Sequence, residues 1–136
     1  MIDLREVSTP ALAYLGDCVL EICVREHLVN KGLSTSGHLN EAALSFVRAS
    51  AQAEAMKRIL PLLTETEEGY FRRGRNIGHT NVPKRATVND YRTATGMEAL
   101  FGYLHLSGQS ARIKELFCAA YETQSETRED PKTTNA

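Results

Sequence analysis

Apolar residues recur along this chain every three to four positions and nowhere alternate strictly with polar ones, a period that predicts helices and no strands. The strongest such stretch, Ala11 to Val24, is apolar on almost every side. A helix of that kind is surrounded by protein, either in the middle of a bundle or across a subunit interface. Thr9-Pro10 offers an N-cap followed by proline at the first helical position, and Gly32 offers a stop, so the first helix is expected over about 10–30. A second helix should start after Ser36 and a third should end at Leu60-Pro61, with their joint somewhere in 48–51. Thr64-x-x-Glu67 reads as the capping box of a fourth helix ending at Gly74. After a long loop, Asn89 or Asp90 caps a fifth helix that stops at Ser107-Gly108. Ser110 opens a sixth, with Ile113, Leu116, Phe117, Ala120 and Tyr121 on one face. Residues 124–136 are polar and expected to be disordered. The expected fold is an all-α helical bundle in one domain over residues 1–123.

Composition narrows the setting. At 136 residues, 42% apolar and 24% charged, the chain is one globular domain. Its N-terminus has no basic region followed by an apolar signal segment, and Asp17, Glu21 and Arg25 interrupt the best candidate for a membrane span. A cytoplasmic protein with no membrane partner is expected. Cys18, Cys23 and Cys118 are odd in number, lie in apolar helical context and lack any Cys-x-x-Cys spacing, so they read as buried, reduced core residues. His27, His38, His79 and His105 are scattered singly, without metal-ligand spacing.

Charge is distributed unevenly. Between Gly69 and Asn89 there is no acid, while Arg72, Arg73, Arg75, Lys84 and Arg85 give that stretch +5 in a chain whose net charge is −1. With Gly74, Asn76, Gly78, Asn81 and Pro83 among them, these cations are expected on a flexible arm over about 70–89. Phosphate is the matching ligand, because arginine binds its oxygens bidentately and clustered cations release counterions from nucleic acid. A solvated surface loop would carry the same composition.

The sharpest feature is acid inside apolar helix. Asp17 and Glu21 are the only carboxylates between 11 and 24, and Glu98 is the only one between 91 and 114. An unpaired carboxylate is costly to desolvate, so such acids are paired, exposed or bound to a cation. Glycines beside them (Gly16, Gly96, Gly102) permit two helices to approach closely and bring oxygen ligands together. Magnesium uses one or two protein carboxylates and completes its shell with water and phosphate oxygens. Glu21, one turn beyond Asp17, is either an outer partner of that site or the salt-bridge partner of Arg25.

These residues match a known pattern. Ala11-Leu-Ala-Tyr-Leu-Gly-Asp17-Cys-Val-Leu-Glu21 resembles the signature segment of the ribonuclease III family, and Met97-Glu98-Ala-Leu-Phe-Gly-Tyr-Leu resembles its second catalytic helix. Val24-Arg25-Glu-His-Leu, Ala51-Gln52-Ala and Arg72-Arg73-Gly-Arg-Asn76 with Pro83-Lys84 are similar to the Mini-ribonuclease III branch, over roughly residues 8–122. The resemblance implies a homodimeric, all-helical endonuclease domain that cleaves double-stranded RNA with Mg²⁺. In this branch the implied task is maturing the ends of the 23S rRNA precursor, with a ribosomal protein as a candidate helper. Asp17 and Glu98 take the places of the metal-binding catalytic pair, and the ion would acidify a water for in-line attack on a phosphodiester. Ribonuclease III proper carries two further acids where this chain has Ala13 and Thr95, and the Mini branch also lacks them. It also carries a second RNA-binding domain; without one, the grip on RNA is expected from the dimer groove and from Arg72, Arg73, Arg75, Lys84 and Arg85. A non-catalytic RNA-binding module in ribosome assembly and a plain helical dimer with its acids paired to Arg25 or Arg92 are the alternatives.

Overall fold

Ser8, rather than Thr9, caps the first helix: its side chain accepts from the Ala11 amide at 3.2 Å, leaving Thr9 and Pro10 inside the first turn. This is seen in a computed structural model that describes residues 3–77 and 87–121. Six α-helices follow in order: α1 (Thr9–Asn30), α2 (Ser36–Val47), α3 (Ala49–Ile59), α4 (Glu65–Arg75), α5 (Val88–Leu106) and α6 (Ser110–Tyr121). Among the described residues there is no strand, as the sequence period predicts, and no helix is long and apolar enough to cross a membrane. Short 3-10 turns at Leu4–Glu6 and Leu60–Leu62 were not legible in the sequence.

Of the remaining boundaries, the joint of α2 and α3 falls where expected, while the end of α4 and the start of α5 depart for local reasons. The joint expected in 48–51 is Arg48, whose extended backbone (φ −64°, ψ 147°) separates α2 from α3. Thr87 caps α5, accepting from the Asp90 amide at 3.0 Å, two or three residues earlier than an Asn89 or Asp90 cap would be. Thr64 and Glu67 form the predicted capping box, but α4 continues past Gly74 to Arg75. Arg72, Arg73 and Arg75 therefore sit on the last turn of a helix rather than on an arm, where cations are favoured by the helix dipole. Lys84, Arg85 and the polar residues 124–136 lie outside the described residues. The cysteines are free, with Cys23 and Cys118 half-buried and Cys18 exposed, against the expectation that all three are buried.

α5 is the central element. Thr93, Ala94, Gly96, Met97, Ala99, Leu100, Phe101, Gly102 and Leu104 are all buried, and α1, α3, α4 and α6 pack around it. Its Met97, Leu100, Phe101 and Leu104 join Val19, Leu20, Val24 and Leu28 of α1, Ala55, Met56 and Ile59 of α3, and Leu116 and Phe117 of α6 in one core. Each large side chain sealed there contributes about 2 kcal/mol of apolar transfer. α6 is tied to the start of α4 by charge: Arg112 meets both oxygens of the buried Glu67 at 2.8 Å and also donates to the Leu62 carbonyl at 2.9 Å. α2 lies outermost, with Phe46 against His27, Phe117 and Tyr121, and the Tyr121 hydroxyl donating to the Phe46 carbonyl at 2.8 Å.

Candidate active site

Two glycines bring the acid-bearing helices together. A Cβ built on Gly16 would run into the backbone carbonyl of Glu98, and one built on Gly102 would run into that of Leu12. Because 16 lies against 98 and 12 against 102, α1 and α5 cross antiparallel with backbones in contact, a separation that any larger residue would prevent. Asp17 follows Gly16 directly, and Glu98 is the residue whose carbonyl faces it. A second glycine pair holds the other flank of α5: a Cβ on Gly74 of α4 would come within 2.8 Å of the Gly96 Cα.

At the first crossing the two carboxyls meet. Asp17 is exposed and Glu98 half-buried. Burial, then the charge of Asp17 and a hydrogen bond between the two groups, push the Glu98 carboxyl up to about 8. Among the described residues no basic side chain pairs with either acid, so the alternative in which Arg25 or Arg92 neutralises them finds no support there. Arg25 pairs instead with Glu21, Nε to Oε2 at 2.9 Å. That pair borders a cleft of about 250 Å³ between α1 and α2, lined also by Leu28, Val29, Leu39 and Asn40. The described residues hold no cluster of three or more His, Cys, Asp or Glu side chains suited to a metal. Two adjacent carboxylates without a counter-charge are the arrangement that a hard divalent cation relieves, and two are enough for magnesium.

The basic residues are placed unequally. Arg72 is paired with Glu68 at 3.0 Å. Arg73 lies over the Tyr70 ring, 4.9 Å from its centre, and its Nε donates to Thr9 Oγ1 at 3.2 Å. Arg75 covers the Phe71 ring at 5.6 Å. Sequence reasoning located these arginines but read Thr9 only as a cap and missed Tyr70 and Tyr103, whose rings stack 4.0 Å apart, because these contacts join distant segments. The outward side of α1 carries Tyr14 at 85% exposure and Ile22 at 60%, two turns apart with Cys18 between them.

The chain matches the Ribonuclease III domain family over residues 10–109. It is 41% identical over 131 residues to Mini-ribonuclease 3 of Enterococcus faecalis, covering 95% of this chain and 99% of that relative. It is 45% identical over 109 residues to Mini-ribonuclease 3 of Symbiobacterium thermophilum, covering 80% and 84% respectively. A crystal structure of a Fusobacterium nucleatum protein superposes with a TM-score of 0.80 at 28% identity, covering 91% of this chain and 99% of that one.

Proposed function

The chain belongs to the ribonuclease III family and is an endoribonuclease, and from that premise we propose that Asp17 and Glu98 are its metal-binding catalytic pair, with magnesium as the metal. The observation that carries this reading is the meeting of two carboxyls at a glycine-tight crossing without a basic partner among the described residues. Magnesium, when bound, supplies the positive charge that acidifies a water and offsets charge building on the phosphate oxygens. The protein's part is to hold oxygen ligands at a fixed spacing. Asp17 is exposed on the substrate side, while Glu98 is half-buried and must release its proton to serve as a ligand. Glu21 lies one turn beyond Asp17 on α1 and its carboxylate is paired with Arg25, so any outer role at the metal would require it to leave that pair.

The substrate we infer is double-stranded RNA, in particular paired ends of the 23S rRNA precursor in the cytoplasm, with a ribosomal protein as helper. Duplex RNA is gripped mainly through phosphates and 2′-hydroxyls, which suits Arg72, Arg73 and Arg75 together with Lys84 and Arg85 further along the chain. The apolar stripe of Tyr14 and Ile22 suits a homodimer with two such sites.

The test is a gel assay of cleavage on a structured 23S precursor and on a long RNA duplex, with Mg²⁺ and with chelator, beside Asp17→Asn and Glu98→Gln. Magnesium-dependent cuts that both substitutions abolish are expected. Undiminished cutting by either variant would remove that residue from the catalytic pair.

A further inference from the structure

We propose that Arg73 is a preset phosphate anchor, held by Tyr70, Tyr103 and Thr9, that takes a backbone phosphate of the RNA strand a few nucleotides from the scissile one. The proposal rests on the reading of Asp17 and Glu98 as the catalytic pair of a double-strand endoribonuclease. Of the three arginines in the last turn of α4, Arg72 must leave Glu68 to meet a new anion, and Arg75 is half-buried over Phe71. Arg73 is exposed yet fixed. The Tyr70 and Tyr103 rings stack 4.0 Å apart and within 12° of parallel, so Tyr103 occupies one face of Tyr70 and the Arg73 guanidinium occupies the other. Thr9 takes the Nε proton. Among the described residues no acceptor meets Nη1 or Nη2, the fork that grips phosphate bidentately.

The anchor is in register with the acids. Thr9, Ala13 and Asp17 are spaced i, i+4, i+8 and form one ridge of α1, so Arg73 and Asp17 mark two points about 12 Å apart along the helix axis. A duplex presents a phosphate about every 3.4 Å of axis on each strand, so a strand running parallel to α1, outside the buried Ala13, reaches both points within a few nucleotides. Because stacking and the Thr9 bond already restrict the side chain, binding orders it little further. That saving distinguishes it from a solvated arginine.

The test measures binding of a fluorescent RNA duplex in chelator across a salt series, with circular dichroism to verify folding. Arg73→Ala is expected to weaken binding roughly tenfold and to lower the salt slope by about one unit. Arg73→Lys keeps the slope but loses affinity. Tyr70→Leu loses affinity with the charge unchanged, and Tyr70→Phe restores it. Wild-type affinity and slope in Arg73→Ala would overturn the anchor while leaving the nuclease reading intact, and wild-type affinity in Tyr70→Leu would overturn the role of the stack. If wild-type protein binds no duplex at any salt, the reading beneath the proposal falls with it. Should Tyr70→Leu fail to fold, Arg73→Ala and Arg73→Lys decide.

Discussion

Glu98 carries a cost that its proposed role as a metal ligand would explain. Burial and the neighbouring Asp17 keep its carboxyl protonated up to about pH 8, whereas in the unfolded chain it ionises near 4.5. Between those values the unfolded chain gives up a proton that the folded chain holds, so metal-free stability falls as pH rises through this window. Below it both states are protonated and there is no penalty. Glu98→Gln removes the titration, and its melting temperature in chelator is expected to exceed that of wild type by a margin that grows from pH 5 to pH 8. An identical pH profile for the two proteins would contradict the burial of this acid beside Asp17. The sequence already pointed to both residues, since a lone acid in an apolar helix is conspicuous. It could not show that Asp17 faces solvent while Glu98 is half-covered, because that asymmetry depends on how α1 lies across α5.

At the scale of the element, local signals and tertiary contacts divide the work. The α4 capping box was legible because Thr64 and Glu67 satisfy each other three residues apart. The partner of Glu67 was not, since Arg112 lies forty-five residues away and nothing in its local pattern marks it. With Glu67 only 4% exposed, Arg112→Ala leaves a buried carboxylate without its partner and is expected to cost about 3 kcal/mol, read from urea unfolding. The bond holds Glu67 below the usual carboxylate range, so its contribution is present above that range and is lost as pH falls through the lowered value. The end of α4 was misjudged for the same reason. Gly74 looks like a stop, yet its missing Cβ serves close packing against Gly96 within a continuing helix.

For the molecule as a whole, the expected bundle, its helix order and its membership of the ribonuclease III family agree with what is found. Why α1 is apolar all round has two answers. Leu12, Val19, Leu20, Val24 and Leu28 face the core, while Tyr14 and Ile22 face outward. An exposed aromatic and a β-branched side chain two turns apart suit a second copy of the chain. If the proposed dimer forms through this face, Tyr14→Asp is expected to shift sedimentation from dimer to monomer while leaving helical content unchanged, and wild-type protein that sediments as a monomer at micromolar concentration would contradict the proposal. The crossing at Gly16 and Gly102 has another consequence. Because the two acids of the proposed site ride on backbones that touch, the helices that carry them cannot part while the rest of the core stays intact. Heat should extinguish cleavage and helical order at one temperature, so that this enzyme, as it warms, is either working or gone.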